Sequence, residues 1–257
     1  MAGGRFDRPE GVRRGANLTT LLFRDDAYVK SCAAKVVGIS ERGGILLDQT
    51  VFYATSGGQP GDRGTLSLNG RDIAIATTVY DENKNVVHVP AESQDLPGVG
   101  DEVTATLDWV HRHRIMRCHT MMHLLCASVP YPVTGSSITE DGGRIDFDIP
   151  EGQIPDKVEL EAQINGMISA AHPVTTRWIT DEELDANPEL VRTMFVKPPR
   201  GTGKVRLVLI GDGGKVDLQP CGGTHVASTD EIGLIAVDKI QNKGKINRRI
   251  RLVLTQP

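Results

Sequence analysis

The sequence predicts an α+β fold in two parts: a small β-barrel-like domain, then an α+β domain in which helices pack on a mostly antiparallel sheet. Three observations carry this. Short apolar strands separated by turns at close spacing run as far as Asp108, which is the pattern of a small barrel or sandwich. From Trp109 to Ser128 there is neither Gly nor Pro, and Val110, Met116, Met122 and Leu125 recur at roughly helical spacing. Beyond Pro130, alternating strands and capped helices interleave. The expected divisions are a poorly ordered lead-in over 1–18, the barrel-like domain over 19–108 and the α+β domain over 109–257.

In the first part, Thr19–Phe23 and Tyr28–Ile39 read as strands, and Glu41-Arg-Gly-Gly44 is a hairpin turn leading into Ile45–Leu47. A glycine-rich loop, Ser56-Gly-Gly-Gln-Pro-Gly-Asp-Arg-Gly64, follows. Strands resume at Thr65–Leu68, Ile73–Val79, Val86–Val89 and Glu102–Leu107. In the second part, Asp108 suits the N-cap of the helix that Pro130 ends. Thr134-Gly-Ser-Ser137 reads as a hydroxyl-rich loop, and Arg144–Ile149 alternates as a strand. Asp156 caps a helix to about Ala171, and Thr180-Asp-Glu-Glu183 is a capping box. Val174–Ile179, Val205–Ile210, Val216–Leu218, Ile232–Ile240 and Ile250–Leu254 are the remaining strands.

The bulk numbers narrow the function classes. Of 257 residues, 39% are hydrophobic and 24% charged, which is ordinary globular composition, and with 4% aromatics the core must rely on Val, Ile and Leu. A net charge of −4 argues against a general nucleic-acid coat but leaves room for RNA on a local basic patch. No apolar run approaches the roughly 18 residues of a membrane span. The N-terminal stretch has no apolar h-region, and Asp7 and Glu10 argue against a transit peptide. Cys32, Cys118, Cys126 and Cys221 form no disulfide framework, which fits a reducing, cytoplasmic setting. Without a heptad pattern, a monomer is expected.

The chemistry concentrates in two short stretches, His119-Thr-Met-Met-His123 and Cys221-Gly-Gly-Thr-His225. Residues at i and i+4 of a helix share a face, so His119 and His123 can point at one ion, and Cys221 and His225 repeat the spacing. Imidazole and thiolate donors suit Zn2+. The long gap between the pairs suggests a site built where a helix packs on a sheet, unlike a zinc finger. Four protein donors fit a closed structural ion, whereas a catalytic ion keeps a position open; the sequence allows both. Asp217 and Gln219 alternate with Cys221, so on a strand all three share a face and could hold ligands, bind substrate or simply face solvent. His111 and His113 have no evident partner, and Cys118 and Cys126 read as packing residues. A generic zinc hydrolase of small esters is a further reading, though the His-Glu-x-x-His protease motif is absent.

Together, the His-x-x-x-His and Cys-Gly-Gly-Thr-His motifs resemble the editing domain of alanyl-tRNA synthetase and the free-standing AlaX proteins, and threonyl-tRNA synthetase has a related domain. Phe52-Tyr-Ala-Thr-Ser-Gly-Gly-Gln-Pro-Gly-Asp62 is similar to the family's aromatic, glycine-rich loop. Arg144-Ile-Asp-Phe147 is similar to a strand motif, and Asn242-Lys-Gly-Lys-Ile-Asn-Arg-Arg249 to the tail of the medium-length class. The resemblance spans about Leu21 to Leu254. No aminoacylation domain precedes residue 20 and no long oligomerisation segment follows, so it implies a two-domain, trans-acting editing hydrolase. That enzyme would deacylate tRNA(Ala) mischarged with serine, with glycine left open, using Zn2+ held by His119, His123, Cys221 and His225. It implies that Thr134, with Gly135 and Ser136 beside it, reads the serine hydroxyl, although this chain lacks the Gln that some members carry there. A site built to hydrogen-bond a hydroxyl rejects the analogue lacking it. Asp217 and Gln219 are further substrate or ligand-holding residues. Ser56, Gly57, Gly58 and Gln59 are expected to lie over the pocket. Arg112, Lys197, Arg200, Lys243, Arg248 and Arg249 are the cations expected to touch RNA phosphate. The alternative is a non-catalytic tRNA-binding module with a structural zinc.

Overall fold

The computed structural model describes residues 19–92, 94–191 and 203–255. The expected lead-in over 1–18 and the cations Lys197 and Arg200 lie outside them. The first strands are β1 (Thr20–Leu21), β2 (Ser31–Ile39), β3 (Ile45–Leu47) and β4 (Gln49–Thr50). They are followed by β5 (Gly64–Leu68), β6 (Arg71–Tyr80), β7 (Val86–Pro90) and β8 (Glu102–Leu107). Six of them close a barrel in the order β2-β3-β7-β6-β5-β8, while β1 and β4 form a separate parallel pair. The strand expected over Thr19–Phe23 is only two residues long and turns into a 3-10 helix over Leu22–Arg24, because Phe23 folds inward to stack edge-on with Tyr53.

The barrel core holds the expected aliphatics, among them Val36, Ile45, Leu47, Leu66, Ile73 and Ile75, with Phe52. Closure removes the free edges that would otherwise recruit other strands. His88 is fully buried there. Its Nδ1 lies 3.0 Å from Ile45 O and its Nε2 2.8 Å from Thr50 Oγ1, so the ring donates to the carbonyl and accepts from the hydroxyl as a neutral imidazole. Burial pushes its pKa down to about 4.

The chain then enters α1 (Trp109–Ser128), the helix expected from the sequence, with Asp108 accepting from His111 N as N-cap. The remaining elements are β9 (Val133–Thr139), β10 (Gly142–Asp148), α2 (Lys157–Ser169), β11 (Val174–Thr180), α3 (Asp181–Ala186), β12 (Lys204–Ile210), β13 (Asp217–Pro220), β14 (Ile235–Asn242) and β15 (Asn247–Leu254). They form two antiparallel sheets, β14-β15-β10-β9 and β11-β12-β13. The expected caps are present: Asp156 accepts from Val158 N and Glu159 N, and Thr180 and Glu183 complete a capping box. The expected loop Thr134–Ser137 is instead part of β9, paired with β10 through a bulge at Thr134, between Val133 and Gly135; sheet pairing overrides its turn-like composition.

α1 is buried on nearly every side and positions the site. Met116, Met121, Leu124 and Leu125 join a core with Phe147, Ile164, Ile250 and Leu252, and each such side chain contributes roughly 1.5–3 kcal/mol by leaving water. Its polar residues are buried too, so each needs a partner. Arg112, expected at an RNA surface, is wholly buried. It makes a bidentate pair with Asp62 and donates to Ala27 O and Val51 O, tying α1 to the barrel. His111 Nδ1 lies 2.8 Å from Glu140 Oε1 and His113 Nε2 3.1 Å from Glu231 Oε2, so both have the partners that the sequence did not reveal. No described helix is long and apolar enough to cross a membrane.

Candidate metal centre and its surroundings

His119 and His123 lie one turn apart on α1, and Cys221 and His225 lie on the segment that leaves β13. One donor atom from each falls within 4.8 Å of all the others. Cys221 Sγ is 3.5 Å from His119 Nε2 and 3.4 Å from His225 Nε2. The helix and the sheet thus bring together residues that are far apart in sequence.

Each imidazole is held from behind through Nδ1. His119 Nδ1 donates to Gln59 Oε1 at 2.7 Å, His123 Nδ1 to Asp217 Oδ2 at 2.7 Å, and His225 Nδ1 to Thr120 Oγ1 at 3.1 Å. Thr120 can accept because its own hydroxyl proton goes to Met116 O. Gln219 Nε2 donates to Asp217 Oδ2 at 2.8 Å and fixes that carboxylate. With Nδ1 of all three rings aimed at an acceptor, every Nε2 faces the cluster and is the nitrogen a metal takes once it carries no proton.

The electrostatics favour a cation. Burial disfavours the Cys221 thiolate, but His119, His225 and hydrogen bonds from the rings outweigh it and hold the thiol well below its ordinary range. Burial, with the charge of His119, pushes His225 down. Burial also lowers His123, but Asp217 and Cys221 more than offset it and raise its pKa to about 10, so a cation binding here displaces that proton.

The loop expected over the pocket reaches the cluster through one residue. Gln59 is fully buried. Besides accepting from His119, its Oε1 accepts from Thr224 N and its Nε2 donates to Thr224 Oγ1. Ser56, Gly57 and Gly58 are exposed around it. Gly58 has φ of +85° and packs so closely on Ser136 that a Cβ would lie 2.7 Å from Ser136 Oγ; Gly58 O accepts from Ile138 N. Gly223 is tighter still: a Cβ would lie 2.2 Å from His119 Cε1 and 2.6 Å from Gln59 Oε1. Nothing lies within 4 Å of the equivalent position at Gly222.

The expected site residues divide. Asp217 and Gln219 join the cluster on the face they share with Cys221. Thr134 turns its hydroxyl to neighbouring strands, donating to Asp146 O and accepting from Asn247 Nδ2; Gly135 packs near Asp146. Arg112 is withdrawn from any surface role by Asp62. Arg248 is also buried and donates to Gly244 O, Lys245 O and Asn247 O, so it shapes its own hairpin. Arg249 is half-buried against Asp146. Lys243 stays exposed at the hairpin tip. Sequence reasoning missed Thr120 as a ligand holder, and nothing marks a helical Thr for that role. It also missed the assignment of Gln59 to His119.

Comparison with known proteins agrees with this architecture. Residues 19–111 match the family model described as tRNA synthetases class II (A), and residues 205–251 match the threonyl and alanyl tRNA synthetase second additional domain. The alanyl-tRNA editing protein AlaX-M of Methanosarcina acetivorans is 32% identical over 92% of this chain and 99% of its own length. AlaX-M of Pyrococcus horikoshii is 33% identical over 93% and 99%. The alanyl-tRNA editing protein AlaX-L of the same organism is 34% identical over 87% of this chain, which spans 55% of that longer protein. A chain matched over 92–93% of its length with AlaX-M, and carrying the His119, His123, Cys221 and His225 cluster, belongs to the family of alanyl-tRNA editing proteins.

Proposed function

We propose that this protein is an aminoacyl-tRNA deacylase acting in trans in the cytoplasm: it hydrolyses the ester of tRNA(Ala) mischarged with serine, with Zn2+ held by His119, His123, Cys221 and His225. Family membership supports editing of mischarged tRNA(Ala). The observation that carries the metal is the arrangement of three imidazoles, each fixed through Nδ1 by a separate acceptor, around one thiolate. Bonds of about 2.1 Å to nitrogen and 2.3 Å to sulfur at a tetrahedral angle separate the two donors by about 3.5 Å. The separations of 3.4 and 3.5 Å agree with this. The set of three nitrogens and one thiolate suits zinc better than harder or redox-active ions.

Zinc in this setting supplies a Lewis acid for the ester carbonyl or its attacking water. The chain's own residues do the rest. Gln59, Asp217 and Thr120 hold the ring planes. Ser136, beside the Gly58 contact, is the hydroxyl proposed to read serine, and alanine would leave it unpaired; Thr134, which the family resemblance puts in that role, reads serine only by giving up its bonds to Asp146 O and Asn247 Nδ2. Ser56, Gly57 and Gly58 offer exposed backbone to the tRNA end. Lys243, Lys197 and Arg200 are proposed phosphate contacts.

The test is deacylation of seryl-, glycyl- and alanyl-tRNA(Ala) by the wild type and by His119→Ala. The reading expects hydrolysis of the seryl ester, an intact alanyl ester and no activity in the variant; the glycyl ester shows whether glycine is also cleared. One observation favours a second reading, a tRNA-binding module with a structural zinc: the cluster already offers four protein donors. Wild type that binds tRNA and metal but cleaves neither ester faster than background would establish it.

A further inference from the structure

Arg206 leaves β12 on the face that carries the cluster. Val208 pairs with Gln219 and Ile210 with Asp217, so alternation puts Arg206 on the side of those residues, and Cys221 N donates to Arg206 O at 3.0 Å. Arg206 is only 7% exposed. Its Nη1 donates to Cys221 O at 3.1 Å and Gly223 O at 2.9 Å. Its Nε has no partner, and among the described residues no carboxylate pairs with it. The charged groups acting on it at longer range are Cys221, Arg24 and Asp25, the last two of opposite sign.

Arg248 also has an unpartnered Nε, but its guanidinium closes on the carbonyls of its own hairpin, whereas Arg206 lies beside the cluster. Buried charges are normally paired and buried donors satisfied, as Arg112 is by Asp62. Two carbonyls satisfy part of the Arg206 fork, and no neighbouring carboxylate neutralises it. A guanidinium stays protonated at any working pH. Between the two clamped carbonyls sits Gly222, exposed and with open space beside it. A ligand lying along that backbone therefore reaches the neighbourhood of a fork-shaped cation that no described carboxylate pairs, next to the cluster and the Cys221 thiolate.

We infer that Arg206 receives a phosphodiester oxyanion of the single-stranded 3′ end of the tRNA, and thereby fixes the distance of the terminal ester from the metal cluster. This rests on the tRNA-ester reading above, because a neutral ester brings no anion of its own and the nearest one is the phosphodiester of the terminal nucleotide. Arginine's planar donors match phosphate oxygens, and phosphate contacts set register. Holding the chain one phosphate from the reacting carbonyl is the positioning that makes attack effectively intramolecular.

The experiment is equilibrium binding across a salt series with two uncharged tRNA(Ala) molecules, one complete and one lacking the terminal adenosine and its phosphodiester. For wild type, removing the terminal nucleotide should lower the slope of log K against log salt by about 0.7, one single-strand phosphate. Arg206→Gln should weaken binding of the complete tRNA about tenfold, with the same loss of slope. It should bind the truncated tRNA almost as wild type does, and Arg206→Lys should recover part of the loss. Arg206→Gln binding both tRNAs with wild-type affinity and slope would overturn the inference. So would identical wild-type slopes for the two tRNAs, a comparison that stands even if the glutamine variant loses its fold or metal. An Arg206-dependent slope in a protein that cleaves no ester would keep the anion site and remove the deacylase reading; cleavage with no such slope would remove only the anion site.

Discussion

The barrel and the α+β part contribute to the cluster in different ways. All four donor residues come from the second part, at His119, His123, Cys221 and His225. Two of the three groups that orient the rings, Thr120 and Asp217, come from it too. The third, Gln59, belongs to the loop preceding β5 of the barrel and reaches His119 across 60 residues of sequence. Three residues further on, the same loop carries Asp62, whose buried pair with Arg112 anchors α1. The barrel supplies no ligand, yet it grips the metal helix at two points about two turns apart. Owning the donor atoms and holding them in place are therefore separate tasks, divided here between the two halves.

The largest effect should come from the closest contact. In Gly223→Ala the new methyl meets the His119 ring at 2.2 Å, so the variant should lose bound metal and deacylation together, whereas Gly222→Ala should keep both. Metal content and turnover of the two alanine variants check this. Next comes the anchor. Asp62→Ala strands a buried guanidinium and should destabilise the protein by about 3–5 kcal/mol, read from urea unfolding; a loss under about 1 kcal/mol would mean the two halves are coupled elsewhere. Within the second half, Asp217→Asn and Thr120→Val should weaken metal binding about 10–100-fold while changing stability little, as measured by competition with a chelator.

The smallest effect belongs to the barrel alone. His88 is held neutral, with its pKa pushed down to about 4 by burial. The unfolded chain, with an ordinary histidine near 6.5, takes up the proton first. This contribution is therefore complete above about pH 6.5 and is lost as pH falls toward 4, amounting to about 2 kcal/mol between pH 7 and 5. Urea midpoints over that range should fall more steeply for wild type than for His88→Gln. Equal slopes would show that His88 is already protonated in the folded barrel.

The donor residues were legible in the sequence because the i, i+4 spacing of His119 and His123 is a local geometric fact, and the alternation of Asp217, Gln219 and Cys221 is another. The succession of short strands and the long uninterrupted helix gave the fold class for the same reason. What failed depended on contacts between distant segments. Arg112 looked like a surface cation because its partner Asp62 lies 50 residues away. Arg248 looked free because the curl of its own hairpin, which provides three carbonyls, is not visible in composition. Thr134–Ser137 carries Gly and Ser and looked like a loop, but β10 and β15 build a sheet beside it. Thr120 resembles any helical threonine until His225 arrives from the other end of the chain. Gln59 was expected over the pocket with the rest of its loop, whereas its bond to His119 depended on how the barrel docks.

Gln59 therefore tests the division of labour most directly. The measurement is the zinc dissociation constant of Gln59→Leu against wild type, at matched folding stability. If the barrel holds His119 in place, the variant binds zinc about 10–100-fold more weakly although no donor atom has been touched. Unchanged affinity would contradict the claim and leave the metal centre as the work of the second half alone.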